Sequence, residues 1–118
     1  MQKVQIWHNP RCSKSRQALE LLDESGVQKD IVKYLEENPD KERIKELLKM
    51  LGFASARELM RTKEAIYKEL GLKDETDEEK LIEAMVEHPK LIERPIIIKG
   101  DKAIIARPPE KVSDFLKA

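Results

Sequence analysis

Apolar and polar positions alternate along Val4-Gln5-Ile6-Trp7, the period of a β-strand with one buried face, and the run stops at a proline-containing turn. From Ser13 onward the period changes. Ala18, Leu19, Leu21 and Leu22 gather on one side of a helix, and Gly26 terminates it. Asp30-Ile31-Val32-Lys33-Tyr34-Leu35 is β-branched and apolar and predicts a second strand. Strand, helix and strand in so short a stretch form a βαβ unit, so the two strands are expected to run parallel.

The middle of the chain has a helical pattern. Ile44, Leu47, Leu48 and Leu51 keep the spacing of one helix face, with Asn38-Pro39 able to cap the start and Gly52 at the end. Ser55 with Glu58 predicts a capping box on a short helix through Met60. Glu64 to Leu70 predicts another, closed by Gly71, and Thr76 with Glu79 opens a helix carrying Leu81, Ile82, Met85 and Val86 that Pro89 stops. Strand signals return in Pro95-Ile96-Ile97-Ile98-Lys99 and Lys102-Ala103-Ile104-Ile105-Ala106. The Gly100-Asp101 pair between them predicts a two-residue hairpin. Pro108-Pro109 opens a last helix with Val112, Phe115 and Leu116 on one face. The expected architecture is therefore α/β: βαβ, a helical insertion over about residues 38–90, then ββα, built on a mixed four-stranded sheet. With no repeat, low-complexity tract or linker, residues 1–118 are expected to form one domain.

Charge narrows the function classes. The 118 residues hold 23 basic and 23 acidic side chains, a net charge of zero, which argues against a general binder of nucleic acid or of an acidic membrane. No run of about 18 apolar residues is present, so no membrane-spanning helix is expected. Met1 to Trp7 is too short and too alternating for a signal peptide. Together with a single cysteine, this points to a reducing cytoplasm. No long apolar seam is evident, so a monomer is expected.

That one cysteine, Cys12, lies at the strand-to-helix turn His8-Asn9-Pro10-Arg11-Cys12-Ser13-Lys14-Ser15-Arg16. A structural cysteine is usually set among apolar residues, whereas this one has His8, Arg11, Lys14 and Arg16 for neighbours. A helix N-terminus beside cations stabilises the thiolate, the reactive form of the thiol. Ser13 and Ser15 can donate to sulfur or to an anion beside it. His8 either tunes Cys12 or moves a proton, or it simply ends the strand, packed and hydrogen-bonded locally. A lone thiol cannot close an internal disulfide, so redox chemistry at Cys12 needs a second molecule to regenerate it. Arg94 and Arg107 each precede a proline, which holds the backbone extended and aims the side chain, and Arg61 lies in a break between two short helices. All three are candidates for oxyanion binding, for which the multi-donor guanidinium is suited. Two histidines and one cysteine make no metal set, and no glycine-rich phosphate loop occurs.

The element order resembles the thioredoxin arrangement with helices inserted between its halves. In that arrangement the proline before the third strand is usually cis and faces the active cysteine, and Pro95 holds that place. Over essentially the entire chain the sequence resembles the glutathione-dependent, glutaredoxin-linked arsenate reductase family. The resemblance is carried by the His8 to Arg16 turn, by Glu58-Leu59-Met60-Arg61, and by Tyr67-Lys68-Glu69-Leu70-Gly71-Leu72. His88-Pro89-Lys90-Leu91-Ile92-Glu93-Arg94-Pro95-Ile96 and Arg107-Pro108-Pro109-Glu110 complete it. It implies that Cys12 attacks arsenate, that Arg61, Arg94 and Arg107 bind and neutralise the oxyanion, and that His8 and Ser15 support the thiolate. It also implies no bound cofactor, glutathione as co-substrate and glutaredoxin as a protein partner. Two other readings stay open: a thiol transferase acting on another substrate, and the related thioredoxin-like regulators that bind RNA polymerase. The latter often carry Cys-x-x-Cys, and Ser15 stands where the second cysteine would be.

Overall fold

The computed structural model describes residues 3–117; Met1, Gln2 and Ala118, which the expected leaderless N-terminus and single domain include, lie outside the described residues. Contact density divides the chain into two units. One comprises the residues through Glu37 together with those from Arg94 onward, and the other is Asn38–Glu93.

The first unit is built on a mixed four-stranded sheet in the order β2-β1-β3-β4. Strands β1 (Val4–Trp7) and β2 (Lys29–Val32) pair in parallel through α1 (Ser13–Ser25), as a βαβ crossover requires. Strand β3 (Ile96–Lys99) runs antiparallel to β1, and β4 (Lys102–Ile105) runs antiparallel to β3. The Lys99↔Lys102 pairing leaves Gly100 and Asp101 as the two-residue turn, with Gly100 at φ 63°. The fold is thioredoxin-like. Val4, Ile6 and Ile97 share one sheet face and pack with Ala18 and Leu22 of α1 and Val112 of α6 (Lys111–Lys117). On the other face the Trp7 ring stacks on Tyr34, centroids 6.0 Å apart.

The second strand is shorter than its composition suggests. Tyr34 and Leu35 belong to a helical turn, α2 (Tyr34–Glu37), because the Glu37 carboxylate accepts the Lys33 N–H at 2.8 Å and turns the chain out of the ladder.

The second unit holds α3 (Lys41–Leu51), α4 (Ala65–Glu69), α5 (Glu78–Glu87) and short 3₁₀ turns. Its caps differ from two of those expected. Asp40, not Asn38-Pro39, caps α3 by accepting the Arg43 N–H at 2.8 Å, and Asp77 rather than Thr76 caps α5 by accepting the Glu79 N–H at 3.0 Å. Aspartate wins both places because its carboxylate reaches the orphan N–H groups and complements the helix dipole. The Ser55/Glu58 capping box forms as the spacing predicts. Arg57, half-buried, donates to the Tyr67 hydroxyl and to the Leu72 and Glu75 carbonyls. Among the described residues, no helix is long and apolar enough to cross a membrane.

Candidate active site

Cys12 occupies the N-cap position of α1, the residue whose side chain lies nearest the unpaired N–H groups of the first turn. Its backbone N–H closes the turn onto the Asn9 carbonyl at 3.0 Å, and the Asn9 side chain accepts the Arg11 N–H at 3.0 Å. The Arg16 guanidinium donates to the Pro10 carbonyl at 2.9 Å and fastens the same turn. Proline and asparagine thus shape a rigid loop, and the helix it starts is anchored by the buried Ala18 and Leu22.

Burial alone pushes the Cys12 thiol up. The N–H of Ser15, the charge of Arg94, the N–H of Lys14 and the charge of Arg107 outweigh that, and the net direction is down. Neither N–H makes a full capping hydrogen bond to sulfur; both act as oriented dipoles. The basic neighbours in sequence, Arg11, Lys14 and Arg16, are exposed, and the guanidiniums that act on the thiol come from strand ends far along the chain. Tertiary structure, not local composition, supplies the charge.

Ser15 is fully buried, and its hydroxyl lies 2.6 Å from His8 Nδ1 while accepting the Asn9 N–H at 3.0 Å. The hydroxyl therefore belongs to a His8–Ser15–Asn9 network, and Ser15 reaches the sulfur through its backbone N–H. His8 is 5% exposed. Burial, then the charges of Lys33 and Arg16, lower its pKa, so the imidazole is neutral at pH 7. A neutral ring with its proton on Nε2 accepts the Ser15 O–H at Nδ1, which leaves the Ser15 oxygen to accept the Asn9 N–H. His8 thus acts on the site by position rather than by charge.

Arg94 is the most telling side chain. Its Nε and Nη1 atoms are buried, and no acceptor among the described residues lies within hydrogen-bonding range of either. Buried donors without acceptors each cost about 1–3 kcal/mol, so a guanidinium held this way is prepared for an anion from outside. Arg107 precedes the last helix and is exposed. The Arg94–Pro95 and Arg107–Pro108 peptide bonds are both cis.

The first unit therefore brings Arg94 and Arg107 to act on Cys12, beside the His8–Ser15 pair that adjoins the same turn. Arg61 belongs to the second unit, where its Nη1 pairs with Glu64 and its Nε lies 3.8 Å from a Glu93 carboxylate oxygen. Among the described residues no group of three or more His, Cys, Asp or Glu side chains is placed to hold a metal. One feature was missed in the sequence reading: Lys33, which follows β2, stands close enough to His8 to depress its pKa. The signal existed, because two parallel strands end on the same edge and residues just beyond them meet there.

Comparison with known proteins gives a consistent picture. The sequence model of the ArsC family matches residues 7–115. The arsenate reductase of Neisseria meningitidis serogroup A is 47% identical over 117 residues, covering 98% of this chain and 100% of that protein. An uncharacterized protein of Escherichia coli K12, YfgD, is 56% identical over 115 residues, 97% of each. The solved structure of an arsenate reductase from Vibrio cholerae superposes with a TM-score of 0.92 at 47% identity, covering 96% of this chain and 97% of that one.

Proposed function

The chain belongs to the ArsC family, and from that premise we propose that it reduces arsenate to arsenite with Cys12 as the nucleophile. The observation that carries the reading is the pairing of a thiol with depressed pKa and a guanidinium, Arg94, whose buried Nε and Nη1 have no acceptor among the described residues. A binding-only protein needs no activated thiol.

In the proposed cycle the Cys12 thiolate attacks arsenic(V); an S–As bond forms, an As–O bond breaks, and the oxygen leaves as water once protonated. Arg94 and Arg107 neutralise the charge on the remaining oxygens, and Arg61 is proposed as a further anion-binding cation from the family correspondence. A glutathione thiolate forms a second S–As bond as a second As–O bond breaks, and that oxygen also leaves as water once protonated. The thiolate of glutaredoxin then attacks the glutathione sulfur. An S–S bond forms, the S–As electron pair stays on arsenic, and arsenic(V) becomes arsenic(III). Hydrolysis of the Cys12–As(III) bond releases arsenite and restores the thiol. Neutral His8 holds Ser15 so that the first turn of α1 stays aimed at the sulfur. No resident cofactor takes part, and we place the reaction in the cytoplasm, where glutathione keeps thiols reduced. The protein is proposed to act as a monomer.

Alkylation of Cys12 by iodoacetamide across pH tests the site. The inflection should fall below the ordinary thiol value of about 8.5, and arsenate should slow the reaction. In Arg94→Ala the inflection should rise, and arsenate protection should weaken by about 100-fold in concentration. An inflection at the ordinary value, or equal protection in both proteins, contradicts the proposal.

A further inference from the structure

Parallel strands β1 and β2 end on one edge of the sheet, and the segments that follow them line a single cavity of about 380 Å³. That volume lies in the range of small-molecule sites, about 300–1,000 Å³. His8, Asn9 and Arg11 come from the Cys12 turn; Lys33, Leu35 and Glu36 come from the exit of β2. The two walls are one frame. The His8 N–H donates to the Val32 carbonyl at 2.8 Å, the Arg11 N–H to the Asn9 side chain at 3.0 Å, and the Lys33 N–H to Glu37 at 2.8 Å. A wall fixed through its backbone binds without first being ordered.

The chemistry of the lining is specific. Arg11 and Lys33 contribute two cations, Glu36 one anion, and Leu35, 38% exposed, an apolar surface. A small oxyanion is a poor match, since Glu36 repels it and Leu35 has nothing to cover. The complement is a ligand with two carboxylates, one ammonium and a short apolar body. We propose that this cavity holds glutathione, with its two carboxylates on Arg11 and Lys33, its ammonium towards Glu36 and its backbone along Leu35. The inference rests on the reading of the chain as a glutathione-dependent reductase and says where the co-substrate sits. Arg11 is one residue, about 3.8 Å along the chain, from Cys12, and an extended tripeptide spans about 10 Å. A tripeptide held on Arg11 and Lys33 therefore keeps its central thiol beside the turn that carries the nucleophile. Substrate and co-substrate would then be recognised by separate charges: Arg94 and Arg107 for the oxyanion, Arg11 and Lys33 for the tripeptide.

The test is a titration with S-methylglutathione, whose blocked sulfur cannot form a disulfide with Cys12, followed by amide chemical shifts in the full chain. Saturable shifts are expected at Arg11, Lys33 and Leu35. Arg11→Glu and Lys33→Glu should each weaken binding by about tenfold, while Lys33→Arg should retain it. Both side chains are exposed, so the variants should melt as the parent does. No saturable binding, shifts confined elsewhere, or equal affinity across the variants overturns the inference. Arsenate is absent from the titration, which separates the two claims. A protein inactive on arsenate that binds S-methylglutathione here supports the cavity and contradicts only the enzyme reading. An active glutathione-dependent reductase whose KM for glutathione ignores Lys33→Glu contradicts only the cavity.

Discussion

Arg94 carries a positive charge into a place where two of its nitrogens meet no acceptor among the described residues, and its charge reaches the Cys12 thiol. Residue chemistry of this kind was half legible beforehand. The cysteine could be picked out from its unusual neighbours, and the arginines from the prolines that follow Arg94 and Arg107. What composition could not show was which charges act on the thiol. Arg11, Lys14 and Arg16 crowd the cysteine in sequence, whereas the charges that lower its pKa, Arg94 and Arg107, arrive through the sheet. His8 supplies the clearest pH signature. Its pKa is depressed in the folded protein, so the unfolded chain binds more protons between the folded value and the ordinary value near 6.5. Stability should therefore fall as pH drops from 7.5 through 6, and His8→Gln should flatten that part of the profile. Thermal melts across this window check it; an unchanged slope in the variant would show that His8 does not titrate as its burial implies.

At the level of elements, α1 links packing to chemistry. The helix is held to the sheet by Ala18 and Leu22, both with no exposed surface, and its first turn aims the Lys14 and Ser15 N–H groups at the sulfur. Leu22→Ala should cost about 2–5 kcal/mol, read from chemical denaturation, because the transfer loss is joined by a cavity in a fixed wall. A cost below about 1 kcal/mol would mean that the helix re-seats freely. Element identities followed well from periodicity: the parallel βαβ pair, the Gly100-Asp101 hairpin and the Ser55/Glu58 box all form as read. The misreadings have a common physical cause. Side-chain carboxylates decided where backbone turned, with Glu37 ending β2 and Asp40 and Asp77 capping helices, and apolar patterning carries no record of such bonds.

For the molecule as a whole, a net charge of zero leaves function to local fields rather than to a global one. The sheet concentrates those fields: the exits of β1 and β2 and the approaches to β3 and α6 carry Cys12, Lys33, Arg94 and Arg107, while the core residues Val4, Ile6, Ile97 and Val112 hold the frame. A single thiol has no second cysteine in the chain to pair with, and the proposed dependence on outside thiols is the central claim. The measurement that tests it most directly is arsenite formation by the purified protein with arsenate, glutathione, glutaredoxin, glutathione reductase and NADPH, run beside Cys12→Ser. The account predicts arsenite that requires both Cys12 and glutaredoxin, with the variant folded and inactive. Arsenite formed equally by Cys12→Ser, or none formed by a folded protein whose thiol is reactive, would contradict it.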